Sequence, residues 1–182
     1  MMKNRSIVTG LLAVLLISCV LCGKSAMASG TEDFEKARTP ALWIEGQLLG
    51  DMVLGARAQL IFGYIDSKAY SAIKSHGGSL PLWMNWNMQY FHKARSKKRS
   101  FFILRYKAIK NWNFSPEDIV IGGYKVTEKD IYTRSDYRNT GELPPDTLGT
   151  LAVSIPNKYV KPGKTILLSY KDDSMEWTIP KR

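Results

Sequence analysis

Apolar and polar residues alternate along much of this chain, and turn signals interrupt the alternation every few positions. A side-chain period of two belongs to a strand with one face in a core and one in water, so it commits the chain to paired sheets. The pattern is plainest late in the sequence. Leu151, Val153 and Ile155 alternate with Ala152 and Ser154 before Pro156, and Ile166, Leu168 and Tyr170 repeat it. Trp177 and Ile179 carry it into a last strand. Lys161-Pro162-Gly163-Lys164 sets Pro then Gly as a type II turn requires, and Lys171-Asp172-Asp173-Ser174 turns the chain again. Ile119-Val120-Ile121 ends at Gly122-Gly123, Tyr124 to Thr127 is short, and Leu143-Pro144-Pro145-Asp146 is extended or turned. Short strands between repeated turns predict an all-β fold, an antiparallel β-sandwich.

Two earlier regions are read in the same way. In residues 41–65, Ile44, Leu48 and Met52 fit helical spacing, but Gly46, Gly50 and Gly55 interrupt it, each at about 1 kcal/mol relative to Ala. Gly50-Asp51 suits a two-residue hairpin turn, which predicts strands over about 41–49 and 52–65. In residues 83–110, Met84, Trp86, Met88 and Tyr90 alternate with Asn85, Asn87 and Gln89. Phe102, Leu104, Tyr106 and Ala108 alternate with Ile103, Arg105 and Lys107. The expected unit is a long hairpin with an apolar inner face, an amide-and-cation outer face and a basic tip over 93–100. Such an outer face also resists edge-to-edge aggregation. The Trp83–Met88 face is read as core, with a ligand groove or partner interface as the alternative.

Charge is concentrated in one block. The chain carries a formal net charge of +10, and Ser67 to Pro116 holds ten basic residues with no Asp or Glu. A localised positive field draws anionic partners and raises encounter rates without identifying them. Within that block Phe91, His92 and Phe101 flank the cations of the expected tip. Interleaved aromatics and cations can stack on rings and pair with phosphates. The candidate contacts are Lys93, Arg95, Lys97, Lys98, Arg99, Arg105 and Lys107, with Phe91 and Phe101 as apolar support. The competing reading is a solvated turn that keeps an edge in water.

The N-terminus supplies the compartment. Lys3 and Arg5 precede an apolar run from Ile7 to Leu21, and Ser25-Ala26-Met27-Ala28 closes it with a small-x-small site. This is the form of a secretory signal peptide over 1–28, and the run is short for a membrane span. Residues 29–182 then form a single domain, large enough for a real core and with no transmembrane anchor after processing. Cleavage removes both cysteines, Cys19 and Cys22, so packing alone must stabilise what remains. Trp43, Trp83, Trp86, Trp112 and Trp177 supply large apolar area for it. Leu16-Ile17-Ser18-Cys19 offers an alternative, a lipoprotein box with Cys19 lipidated, and a retained membrane anchor ranks third. Ser29 and Glu32 form a capping-box pattern, so a short helix is expected from Ser29 toward Arg38, ended by Pro40.

The order of elements from Leu143 to Pro180 resembles that of bacterial exported immunoglobulin-like sandwich domains. A Pro-rich loop leads to a strand ending in Ile155-Pro156, and Lys161-Pro162-Gly163-Lys164 precedes the closing hairpin. The resemblance covers about a quarter of residues 29–182 and lacks the Cys…Trp…Cys core of immunoglobulins. It implies a binding or structural module and carries over no functional residue.

Catalytic and metal signatures are sparse. His76 and His92 are the only histidines, too few for a zinc site, and no acid lies near either in sequence. Ser79 follows Gly77-Gly78 but precedes Leu80-Pro81, which breaks the nucleophile-elbow pattern. Asp172, Asp173 and Glu176, and the spread Asp130, Asp136 and Glu142, match no calcium loop and suit turns. The expectation is a non-catalytic binding or structural module of the cell envelope, without cofactor or metal. Its expected partners are anionic envelope polymer or lipid headgroups. A protein partner, as for an accessory subunit, is the first alternative and an envelope hydrolase the second; nucleic acid is disfavoured outside the cytoplasm.

Overall fold

From Ala41 to Ile65 the chain forms four strands where two were expected. These are β1 (Ala41–Ile44), β2 (Gln47–Leu49), β3 (Met52–Leu54) and β4 (Ala58–Ile65). Glu45 (φ 53°) and Gly55 (φ 75°) take left-handed conformations that break each longer run in two. The expected turn is present. Leu49 pairs with Met52 across Gly50-Asp51, and Gly50 has φ 60°, as the first position of a type II′ turn requires. The computed structural model describes residues 36–75 and 82–181. The leader, Cys19, Cys22, the start of the helix expected from Ser29, His76 and Ser79 lie outside the described residues.

The long hairpin expected over 83–110 does not form. Its first arm is helical: α1 (Ser67–Ser75) follows β4, and α2 (Leu82–Asn85), a 3-10 segment (Trp86–Tyr90) and α3 (Phe91–Ser96) precede β5 (Arg99–Ala108). Residues 82–98 contain no Val, Ile or Thr and several good helix formers. Met84, Asn87, Phe91 and Ala94 are the buried positions, spaced three, four and three apart. That is one helical face. Asn87 belongs to it because Thr150 and Thr133 satisfy its amide, at 3.0 and 3.1 Å. Trp86, expected inside, is 61% exposed.

The second arm behaves as expected on one face. Phe102, Leu104, Tyr106 and Ala108 of β5 are fully buried. On the other face Phe101 and Ile103 are buried too, and Arg99, Arg105 and Lys107 reach partial exposure. Helices cover this face: Phe91 meets Phe101 with ring centroids 6.0 Å apart, and a Cβ at Gly63 would stand 3.0 Å from the Met84 methyl.

The rest is strand and turn. β6 (Trp112–Phe114), β7 (Ile119–Ile121), β8 (Tyr124–Lys125), β9 (Gly141–Leu143), β10 (Leu148–Pro156), β11 (Thr165–Tyr170) and β12 (Asp173–Thr178) follow in order. Two four-stranded antiparallel sheets result, β1-β4-β5-β10 and β12-β11-β7-β8, with small ribbons β2-β3 and β6-β9. Gly163 (φ 75°) completes the expected Lys161–Lys164 turn, which closes through Lys164 N–H to Lys161 O at 3.1 Å. The two sheets share one core. Trp177 of β12 lies against Tyr64 of β4 and Phe102 of β5, and Tyr170 of β11 against Trp112 and Phe114. Residues Arg38–Arg182 form one compact, mostly β unit.

Candidate functional site: a cationic cleft at one end of the first sheet

The covering helices leave a gap where they meet the sheet end. β4 finishes there, β5 starts there, and β10 hands over to the 3-10 turn Asn157–Tyr159. The gap is a cleft of about 560 Å³. Its apolar side is made by Tyr64, Ile65, Phe91, Phe101 and Val160, all buried in the body of the protein. Its polar side carries Lys68, Arg95, Lys98, Arg99 and Lys161, with Ser67, Ser100 and Asn157 between them.

Among the described residues Asp66 is the only acid in the lining, and it is committed elsewhere. It caps α1 by accepting the Ala69 N–H at 2.7 Å and pairs with the buried Arg38 at 3.2 Å. Arg99 is committed as well. Its Nε donates to Ser154 Oγ at 2.9 Å, and its Nη2 donates to Ser154 O and to the buried Asp130. Lys68, Arg95, Lys98 and Lys161 form no ion pair among the described residues. All four are exposed at the cleft. Ser100 donates to Asn157 Oδ1 at 2.8 Å, which leaves the Asn157 amide N–H groups as neutral donors beside the cations. Lys98 holds φ 53°, a left-handed conformation that glycine adopts without the steric cost.

The nine residues singled out from sequence therefore divide. Arg95, Lys98, Arg99, Phe91 and Phe101 meet at the cleft. Lys93 and Lys97 lie over the Tyr132 ring, 5.4 and 6.0 Å from its centroid. Arg105 lies over Trp83 at 5.9 Å, and Lys107 pairs with Asp146 at 3.0 Å. They are not one hairpin tip, because helix and strand turn the block through different faces. Sequence reading missed Lys68 and Lys161. Lys68 falls in the same acid-free block, a usable signal, whereas Lys161 arrives from a turn 62 residues beyond Arg99.

The other chemical candidates are placed as follows. His92 is exposed on α3, its Nε2 2.8 Å from Tyr70 Oη. Asp172 sits in the β11–β12 turn, and Asp136 pairs with Arg134 at 2.7 Å. Among the described residues no three His, Cys, Asp or Glu side chains gather as a ligand set, and no helix is long and apolar enough to cross a membrane. No family model, curated protein or solved structure matches the chain.

What the cleft can do is electrostatic. Several cations around a concave, partly apolar wall concentrate positive potential where a phosphate or carboxylate can sit. Each exposed pair contributes only about 0–1 kcal/mol, so useful binding needs several at once and weakens with salt.

Proposed function

We propose that this chain is an exported, non-catalytic module of the cell envelope whose cleft holds an anionic group of an envelope polymer or lipid headgroup. The observation that carries the reading is the set Lys68, Arg95, Lys98 and Lys161, four cations around one cleft without acidic partners among the described residues. Export rests on the leader pattern of residues 1–28. The lack of a free carboxylate in the lining favours binding over acid–base chemistry. The immunoglobulin-like reading of the architecture belongs with this proposal. Two antiparallel sheets over one core and a closing hairpin after the Lys161–Lys164 turn support it, with the helical layer as an elaboration.

Binding to polyphosphate, and to vesicles of phosphatidylglycerol and phosphatidylcholine, at low and high salt tests the proposal. The protein is expressed from the full 182-residue sequence and purified after processing. Lys68→Ala with Lys98→Gly is expected to weaken binding to at least one probe by about tenfold, or about 1.4 kcal/mol. Lys98→Gly relieves a left-handed backbone, so lost folding does not explain a loss of binding. Lys93→Ala with Lys97→Ala is expected to bind as the parent does. Equal binding by the cleft variant and the parent would remove the cleft as the site.

A further inference from the structure

The β2–β3 hairpin leaves the opposite end of the same sheet. Ile44, the last residue of β1, pairs with Ala58 at the start of β4, whereas the cleft is lined from the end of β4 onward. Eight residues of β4 separate the two features by about 23 Å at about 3.3 Å per residue. The hairpin carries Leu48, Leu49, Met52 and Leu54 at 71, 60, 59 and 48% exposure. They account for four of the nine large apolar side chains exposed among the described residues, gathered on seven consecutive positions. Paired strand positions share a face, so Leu49 and Met52 lie on one side of the ribbon and Leu48 on the other. Its turn presents Asp51, exposed and without an ion pair among the described residues.

An apolar ribbon led by one carboxylate complements a cleft with an apolar wall and unpaired cations. We propose that the hairpin tip of one copy docks in the cleft of a second copy, so that the chain associates head to tail. This rests on the reading of the cleft as an anion site and names the protein's own Asp51 as an anion it takes. Asp51 enters among Lys68, Arg95, Lys98 and Lys161, while Leu49 and Met52 lie against Pro162 and the aliphatic stems of the lysines. A bilayer is the poorer occupant. Asp51 leads the ribbon, and hydrocarbon excludes a leading carboxylate. Donor and acceptor are different surfaces, so each contact is heterologous and leaves a free hairpin on one copy and a free cleft on the other. A hairpin tip buries less than the roughly 1,000 Å² of a stable interface, so association is weak and depends on concentration.

Sedimentation equilibrium of the processed chain over a range of concentrations tests the inference. The weight-average mass is expected to rise about twofold or more on concentrating and to fall back with salt. Asp51→Lys alone, and Lys68→Ala with Lys98→Gly alone, should each stay monomeric. Mixed, they should stop at dimers, because each retains only one half of the contact. A chain that stays monomeric throughout, or oligomers indifferent to Asp51→Lys, or a mixture that recovers no dimer, would each overturn head-to-tail docking. Oligomers lost in Leu49→Ser with Met52→Ser, whose thermal melt stays that of the parent, add support for the apolar contact. Polyphosphate bound by a strictly monomeric chain defeats docking and leaves the cleft as an anion site. Docking without polyphosphate or vesicle binding upholds this inference and removes the external ligand.

Discussion

At Arg99 the guanidinium is engaged before any ligand arrives. It meets Ser154 and Asp130, and Asp130 also accepts from Tyr124 Oη at 3.0 Å, Thr127 N–H at 2.9 Å and Thr127 Oγ1 at 2.7 Å. A buried carboxylate so supplied with donors fixes the start of β5, and Arg99 contributes to the cleft as wall more than as ligand. Tyr106 and Tyr170 show burial acting on a titratable group. Desolvation pushes each phenol up to about 12 from 10.0, against the hydrogen bonds that Asn139 N–H and Ser115 N–H donate to the phenol oxygens, which lower it. The folded state therefore keeps these protons after the unfolded state has lost its own. Stability from this source is constant below about pH 10, falls between about pH 10 and 12 and is gone above that. Titration at 295 nm should show two of the nine tyrosines ionising late, together with a falling thermal midpoint over that interval.

At the scale of elements, the helical layer and β5 differ in how openly their residues declare them. Phe102, Leu104, Tyr106 and Ala108 alternate strictly and fill the inter-sheet core, so that strand face was legible. The preceding stretch was not. Its buried face runs Met84, Asn87, Phe91 and Ala94, and the polar member hides the helical period while Met84, Trp86, Met88 and Tyr90 mimic a strand. Asn87 is intelligible only once Thr150 and Thr133, from other elements, stand beside it. Strand pairing imposes a comparable constraint at Gly149, which lies opposite Tyr106. A Cβ there would stand 2.1 Å from Tyr106 Cζ, so the ring would have to leave its place beside Phe114 and Asn139. Gly149→Ala is expected to cost about 2 kcal/mol, a thermal midpoint lower by roughly 4–8 °C, read by calorimetry.

For the whole molecule, one sheet carries a cationic cleft at one end and an apolar, acid-tipped ribbon at the other. Neither end can satisfy the other within a single copy, because rigid strand separates them. The proposed export rests on the leader pattern of residues 1–28. Mass spectrometry of the protein recovered from its host is expected to place the N-terminus at Ser29. A lipid-modified Cys19 at the terminus would instead establish the lipoprotein alternative and tether the molecule to a membrane. Either result leaves the described unit, residues 38–181, with packing rather than disulfides as its source of stability, since both cysteines precede it.

The sequence by itself determined that the protein is mostly strand, where several of its turns fall, and that its positive charge lies in one block. Those properties are local: a period of two, a Gly with positive φ and a run without acids can each be read from neighbours along the chain. Tertiary structure alone decided that 82–96 is a helical cover and that Lys161 joins Lys68, Arg95 and Lys98 at a cleft. It also decided that Arg99 is spent on Asp130. Each of these depends on which distant surface a side chain meets. β5 offered Phe101 and Ile103 on a face that had to be covered, and a helical segment of matching shape covers it.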